Sequence, residues 1–185
     1  MAYYISHFDP KTHRIFSHSL RTLSGHEEEH EGYAQKVQPG DRLICYVTKV
    51  SRIAGLFEVL EGPFRDDSPL YVDEGKDPYP IRFRIRALAW FDDIEKAIPA
   101  SDKDLEERFP ILLENGWKGR RLRSLTHIPD VAAKVIEEEI LRQDREKKTY
   151  PLEGRKRREF LRHGGKFGDE RDLLYGKSGK RKKKR

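Results

Sequence analysis

Residues 39–47, PGDRLICYV, and residues 53–59, IAGLFEV, decide the fold. The first stretch opens with Pro39 and Gly40, which are typical of turns because proline fixes φ and glycine accepts backbone angles that other residues avoid. The rest of the first stretch and the whole of the second are runs of residues with high β propensity, and a short connection separates the two runs. The pattern predicts two neighbouring antiparallel strands. Gly55, early in the second strand, predicts a bulge or a close approach of another backbone.

The composition limits the class of protein. A chain of 185 residues is long enough for one domain, but 36% of the residues are apolar and 38% are charged, so we expect part of the chain to lie outside the core. The single cysteine, Cys45, excludes an internal disulfide and predicts a buried, inert thiol in a reducing compartment. No apolar run approaches the length of a membrane span, and the N-terminus lacks the pattern of a secretory signal. We therefore expect a cytoplasmic protein without a membrane partner.

The positive net charge belongs to the C-terminal quarter of the chain. Residues 142–185 hold 18 Lys and Arg against 7 Asp and Glu, whereas residues 1–141 hold 20 against 25. We predict a domain over residues 1–145 and a basic, largely flexible extension over residues 146–185, with a small helix at 153–163. Such a tail attracts phosphate without regard to sequence. A solvated tail and a nuclear-localisation-like patch are the alternatives.

The rest of the chain mixes strands and helices. Residues 2–8 predict a first strand, and residues 12–23 predict a short helix. Residues 101–114 and the segment from Pro129 predict two further helices. In the run at 81–90, residues 81–86 alternate strictly between apolar and basic, which predicts a strand with one solvated face. That face would carry Arg82, Arg84 and Arg86. The order of elements predicts an α+β fold with a mostly antiparallel sheet.

Residues 26–30, HEEEH, spell the H-E-x-x-H pattern that, on a helix, presents two imidazoles to one zinc ion. Gly25 and Gly32 flank the segment and no residue between them is apolar, so nothing would pack such a helix. We predict a solvated acidic loop here, with no metal and no cofactor. The nucleophile-elbow and glycine-rich phosphate-binding motifs are also absent from the sequence. A metal-dependent hydrolase that uses His26 and His30 is kept as an alternative.

Several motifs resemble, in the same order along the chain, those of the EVE domain in the PUA-like superfamily. The Gly-Asp turn and strand at 39–47 and the run at 53–59 resemble its central signature. The aromatic strand at 3–6, the segment DPYPIRF at 77–83 and the pair Gly116-Trp117 with its following arginines resemble other EVE segments.

This resemblance covers about residues 2–141. It departs at residues 24–33, SGHEEEHEGY, where many EVE domains carry a tryptophan-containing pocket segment. Here the segment is acidic, and an acidic rim would repel phosphate.

The resemblance implies a PUA-like curved, mostly antiparallel sheet or pseudo-barrel with flanking helices, and nucleic-acid binding. Related YTH and SRA domains read a modified base that is flipped into an aromatic pocket, where stacking returns about 1–3 kcal/mol per base. Candidate binding residues are aromatics near strand ends or in loops, one hydroxyl on the first strand, and the arginines after Trp117, where an aromatic ring lies beside cations. They are Ser6, Tyr4, Tyr33, Tyr46, Trp90, Trp117, Arg120, Arg121 and Arg123.

The predicted function is a non-catalytic module that binds nucleic acid, DNA or RNA, and in its narrower form reads a modified base. The first alternative is an RNA-binding protein whose affinity lies mainly in the basic tail. The second is the hydrolase described above.

Overall fold

The computed structural model of the protein describes residues 1–72, 75–108, 110 and 123–167. The described strands are β1 (Tyr3–Phe8), β2 (Leu23–His26), β3 (Arg42–Val47), β4 (Arg52–Arg65), β5 (Ile81–Trp90), β6 (Ile98–Pro99) and β7 (His127–Ile128). The described helices are α1 (Pro10–Ser17), α2 (Glu31–Ala34), α3 (Asp102–Arg108), α4 (Asp130–Glu146) and α5 (Gly154–Arg162), and a 3₁₀ turn (Glu28–His30) precedes α2. Within these ranges no helix is long and apolar enough to cross a membrane.

The described strands form one sheet in the order β2-β5-β4-β3-β1-β7, with β6 paired to β4. β1 and β3 run parallel, and the other described pairs are antiparallel. Cys45 on β3 lies opposite Gly55 on β4, so the antiparallel pair predicted from the sequence is confirmed. Register shifts between β4 and β5 bend the sheet locally. The α+β fold with a curved, mostly antiparallel sheet is therefore confirmed.

Gly55 allows β4 and β5 to approach closely. A Cβ atom on Gly55 would lie 2.5 Å from the carbonyl oxygen of Ala89 and 2.9 Å from the Trp90 ring. Real Cβ atoms do not sit at such distances, so any side chain here would displace β5. The close backbone approach predicted at this glycine is confirmed.

The core under this contact is aromatic. Trp90 packs edge-on against Phe16 with ring centroids 4.7 Å apart and stacks on Phe57 at 5.5 Å. Phe8, at the end of β1, lies 5.2 Å from the Trp90 ring. All four side chains are buried, and so is the Cys45 thiol, as predicted. This cluster fixes the end of β1 against the centre of the sheet.

Helix α1 begins earlier than the sequence pattern predicts. Asp9 caps the helix by accepting a hydrogen bond from the Thr12 amide at 2.7 Å, and the Thr12 hydroxyl accepts one from the Asp9 amide at 2.9 Å. Pro10 occupies the first helical turn, where its missing N–H costs nothing. Asp9-Pro10 is therefore a helix start, and the last residue of β1 lies directly before it.

Strand β4 continues past Gly62-Pro63, although this pair is typical of a strand end. The register against β5 shifts between Glu61 and Phe64, so the pair is taken up as a bulge. Gly62 has a φ of +123°, a conformation that other residues rarely adopt. The strand therefore bends there and continues to Arg65.

The prediction that one face of β5 is solvated is wrong at one position. Arg84 and Arg86 are exposed, but Arg82 is 1% exposed. Its Nε donates to the carbonyl oxygen of Tyr79 at 2.8 Å, and its guanidinium lies 3.6 Å from Asp77. The loop between β4 and β5 folds over this face of the strand and buries the arginine.

The first part of the C-terminal extension is folded. Helix α5 lies where the sequence predicts a small helix, and Phe160 on it is buried. Leu152 and Phe167, on either side of the helix, are also buried. The extension expected to be largely flexible therefore packs on the domain as far as Phe167. Residues 168–185 lie outside the described residues.

Candidate functional site

A cavity of about 360 Å³ opens where β1 ends. Because β1 and β3 are parallel, their carboxyl ends meet at the same edge of the sheet, and β2 and the segment at 123–124 close the other sides. The lining residues come from separate parts of the chain. They are His7, Phe8, Asp9, Gly25, His26, Glu27, Glu29, His30, Thr48, Tyr79, Arg123 and Ser124. We call it the histidine cavity, after His7, His26 and His30.

His26 is held in place by strand pairing. It is the last residue of β2 and lies opposite Ile81 of β5. Its ring meets Phe83 edge-on at 5.7 Å, and its Nδ1 lies 3.2 Å from the Ser124 hydroxyl. The same hydroxyl accepts a hydrogen bond from the His7 amide at 3.3 Å. Ser124 therefore links the ends of β1 and β2 across the cavity.

Three imidazole nitrogens at this cavity are buried without a partner among the described residues. They are His7 Nε2, His26 Nε2 and His30 Nδ1. A buried polar atom left without a hydrogen bond costs about 1–3 kcal/mol, so proteins rarely keep one without a reason. All three atoms belong to residues that line the histidine cavity.

Burial keeps His7 and His26 neutral at physiological pH. It lowers the pKa of His26 to about 3, and the neighbouring His30 and His7 add to this effect. Burial likewise lowers the pKa of His7 to about 4, again with a contribution from His30. A neutral imidazole has one donor and one acceptor nitrogen, so the cavity suits a ligand with a polar but uncharged edge.

An aromatic ring and a cation complete the lining. Tyr79 is half-buried and meets the Tyr71 ring edge-on at 5.1 Å. Its amide donates to Asp77 at 2.9 Å, which fixes the loop that carries it. Burial raises the pKa of Tyr79 to about 12, with Asp9 and Glu27 among the lesser causes, so its hydroxyl remains a neutral donor. Arg123 is exposed at the opening.

The HEEEH segment forms one wall of the cavity and is neither a helix nor a solvated loop throughout. His26 ends β2 and His30 ends the 3₁₀ turn, so the two imidazoles do not share a helix face as a zinc protease requires. The two histidines are 2% and 7% exposed, which makes the prediction of a solvated loop wrong for them. His26 is buried because β2 pairs with β5.

Acidic groups surround the opening next to His30. Potential ligand atoms of Glu27, Glu29 and His30 lie within 4.8 Å of one another, so these side chains could hold a cation. Both carboxylates are exposed, and Glu29 lies 3.6 Å from His30 Nε2. Without a cation, the cluster presents negative charge to an approaching ligand.

Three of the predicted binding residues lie in the core beside the cavity. Trp90 donates from Nε1 to the Ser17 hydroxyl at 3.0 Å, and the Tyr4 hydroxyl donates to the Lys36 carbonyl at 3.1 Å. Ser6 is 1% exposed. None of the three is among the residues that line the cavity.

The remaining predicted residues are spread more widely. Arg123 lines the histidine cavity, and Tyr46 lines a second groove next to it. Tyr33 is half-buried on α2, with the Lys36 ammonium 5.7 Å from its ring centroid. Trp117, Arg120 and Arg121 lie outside the described residues, so their role stays a prediction.

Sequence reasoning missed His7, Tyr79 and Ser124 as cavity residues and interpreted His26 and His30 only as metal ligands. The HEEEH pattern and the predicted Arg123 pointed to this place, and the DPYPIRF segment contains Tyr79. Nothing local marks His7 or Ser124, because their part in the site depends on which strands pair.

Comparisons with known proteins place the fold. No protein-family model matches the chain. A UPF0310 protein of Pyrococcus abyssi is 28% identical over 128 residues, which span 63% of this chain and 85% of that protein. A second UPF0310 protein, from Pyrococcus horikoshii, is 29% identical over 75 residues, 35% of this chain and 52% of that protein.

Among solved structures, the chain is similar to the YTH domain of Mmi1 in complex with RNA, with a TM-score of 0.57 and 12% identity over 80% of this chain and 82% of that one. It is also similar to the YTH domain of Pho92 in complex with m6A, with a TM-score of 0.51 and 14% identity over 75% and 82% of the two chains. The curved sheet with flanking helices is therefore the PUA-like fold that YTH domains share. The narrower resemblance to EVE domains stays a prediction.

Proposed function

We propose that the protein is a non-catalytic nucleic-acid-binding module in which one unstacked base enters the histidine cavity. The observation that carries the proposal is the set of three buried ring nitrogens without partners at a cavity of about 360 Å³. Support comes from the fold, since similar YTH domains were solved with RNA and with m6A.

The chemistry of the cavity suits a nucleobase. The edge of a base offers donors and acceptors side by side, and neutral imidazoles such as His26 and His7 can match either. Taking a base out of its stack costs a few kcal/mol, and stacking on an aromatic side chain such as Tyr79 returns about 1–3 kcal/mol. The volume lies at the lower end of the range for small-ligand pockets, about 300–1,000 Å³, which fits one base rather than a dinucleotide.

RNA is the first candidate ligand, because the similar YTH domains were solved with RNA. The narrower form of the proposal is that the bound base is modified. The partially apolar lining, with Phe8 beside the histidines, would accept a methyl group on a base edge at little cost. DNA with a modified base remains within the proposal, since the cavity residues recognise the base and not the sugar.

Binding without catalysis is the simpler use of these histidines. His26 and His7 are too weakly basic at neutral pH to take up a proton, because burial lowers the pKa of each. The hydrolase alternative needs His26 and His30 on one metal ion, and a strand and a 3₁₀ turn do not present them as a helix would.

Fluorescence anisotropy with short single-stranded oligonucleotides tests the proposal. RNA and DNA of the same sequence, unmodified or with one N6-methyladenosine or 5-methylcytosine, are titrated at low salt. Tyr79→Leu removes the stacking ring and His30→Gln alters the hydrogen-bonding edge. We expect each to weaken binding of the preferred oligonucleotide about tenfold, which corresponds to about 1.4 kcal/mol and lies within the range for one stacked base.

The matched control is Arg84→Ala, which removes an exposed cation on β5 that pairs with Glu61 at 2.9 Å and does not line the cavity. The control should bind like the wild type. Absence of binding to every oligonucleotide at low salt would overturn the proposal, and so would equal affinities of the two cavity variants and the wild type.

A further inference from the structure

A second groove, of about 670 Å³, lies beside the histidine cavity on the far side of Thr48. Its cations come from two places: Lys49 in the turn after β3, and Arg155 and Lys156 on α5. Between them lie the hydroxyl side chains of Ser51 and Ser101. Cationic and hydroxyl side chains together are the usual contacts of a sugar-phosphate backbone. We call it the basic groove.

The basic groove and the histidine cavity are neighbours that share one lining residue. Thr48 lines both, and its amide donates to the carbonyl oxygen of Phe8 at 2.8 Å, which joins the ends of the parallel strands β1 and β3. A strand with one base in the cavity would therefore pass Thr48 as it leaves.

The cations of α5 are held in position by packing. Phe160 is the buried residue of α5. Just before the helix, the Leu152 amide donates a hydrogen bond to Glu95 at 3.1 Å. After the helix, Arg14 of α1 donates from Nε to the carbonyl oxygen of Gly164 at 2.9 Å. The helix is thus anchored at both ends, so its cations bind with less loss of conformational entropy than cations on a free tail.

The charges of the groove favour an anion. Lys49 and Arg155 are exposed and make no ion pair with another described residue. Lys156 lies 3.8 Å from Asp104. Glu159 carries the one carboxylate among the described residues of the groove, and that carboxylate lies 3.2 Å from His163. On the other side of the cavity Glu27 and Glu29 repel phosphate, so the basic groove is the open path for the backbone.

We propose that the basic groove binds the sugar-phosphate backbone of the same single strand whose base enters the histidine cavity. This inference rests on the proposed function and adds the path of the strand. Helix α5, outside the predicted domain, would then be part of the binding surface.

The test compares two double variants of the full-length chain that lose the same charge. Lys49→Gln/Arg155→Gln changes the groove, and Lys134→Gln/Arg145→Gln changes two exposed cations of α4 that do not line it. Affinities for one single-stranded oligonucleotide, with and without the preferred base, are measured across a range of salt concentrations.

We expect the groove variant to bind both oligonucleotides about tenfold more weakly, with the same preference between them. The plot of log affinity against log salt should lose about 0.7 from its slope for each phosphate contact removed from a single strand. The α4 variant should match the wild type in slope.

Equal slopes and affinities for the two double variants would overturn the inference and leave the proposed function standing, provided that Tyr79→Leu still weakens binding. A change in base preference in the groove variant would also overturn it, since backbone contacts carry no sequence information. If the wild type binds no oligonucleotide, the proposed function fails and this inference fails with it.

Discussion

His26 illustrates how one residue links the stability of the fold to its site. Its pKa in the folded protein is lowered to about 3 by burial, whereas the imidazole of the unfolded chain titrates near the ordinary histidine pKa of 6.5. The unfolded state therefore takes up a proton below about pH 6.5 and the native state does not. The free energy of unfolding that depends on a neutral His26 is therefore fully present above pH 6.5 and is lost as the pH falls towards 3.

We expect His26 alone to account for a loss of about 2 kcal/mol in the free energy of unfolding between pH 7 and about pH 5. Urea unfolding at the two pH values, compared between the wild type and His26→Leu, measures this share. The leucine variant should lose less stability on acidification. His18→Leu, at an exposed histidine, is the control. Identical pH dependence in the wild type and His26→Leu would contradict the prediction.

Asp77 is the residue on which the loop beside Tyr79 depends. It is 1% exposed and accepts hydrogen bonds from the amides of Leu70, Tyr71 and Tyr79 at 2.6 to 2.9 Å while facing buried Arg82. Asp77→Ala would leave the Arg82 guanidinium buried without its countercharge. Losing one partner of a buried pair costs about 3–5 kcal/mol, and we expect a destabilisation of that size in urea unfolding.

The control for this prediction is Asp67→Ala. Asp67 is exposed and lies 3.5 Å from Lys76, and an exposed pair of this kind contributes about 0–1 kcal/mol. Similar destabilisation by the two substitutions would contradict the prediction, because the buried pair would then contribute no more to stability than the exposed pair.

Elements were predictable where the signal is local. The strands β3 and β4 follow from turn residues at 39–40 and two runs of high β propensity, and both are found there, although β4 continues to Arg65. The strand β2 was missed because Ser24, Gly25 and His26 have no β signal of their own. They form a strand because β5 pairs with them and Phe83 covers His26, which is a tertiary effect that overrides propensity.

The contact between β4 and β5 gives a prediction at the level of the sheet. Gly55→Ala would bring a methyl group within 2.5 Å of the Ala89 carbonyl oxygen, which is backbone and cannot move aside cheaply. We expect this overpacking to lower the free energy of unfolding by about 1–3 kcal/mol. Urea unfolding would show the loss as a lower midpoint.

Gly32→Ala is the matched control, because nothing lies within 4 Å of a Cβ at this position in α2. Alanine is favoured over glycine within a helix by about 0.5–1 kcal/mol, so this variant should be equally stable or more stable. A Gly55→Ala protein as stable as Gly32→Ala would show that β5 moves without cost.

At the scale of the whole molecule, the site was harder to predict than the fold. Its lining comes from residues 7–9, 25–27, 29–30, 48, 79 and 123–124, which are brought together only when β1 pairs with β3 and β2 pairs with β5. Composition and periodicity describe each segment alone and cannot show that their ends meet. Arg123 was predicted because it follows an aromatic-basic cluster, whereas the neighbouring Ser124 has no such mark in the sequence.

The C-terminal extension holds helix α5 and, after Phe167, a stretch rich in lysine and arginine, and truncation separates their roles. A chain that ends at residue 150 loses buried Leu152, Phe160 and Phe167, whose burial is worth about 1.5–3 kcal/mol for each large apolar side chain. We expect it to unfold at a clearly lower urea concentration. A chain that ends at residue 167 keeps all three and should unfold like the full-length protein.

The same truncation at residue 167 decides between a binding site on the domain and affinity carried by the tail. It removes 8 Lys and Arg against 3 Asp and Glu, so we expect weaker binding at low salt and a shallower dependence on salt. The preference for one base over another should remain, because the histidine cavity is intact. Anisotropy titrations of the two chains with the same oligonucleotides measure both effects. Complete loss of binding in the shorter chain would instead assign the affinity to the tail.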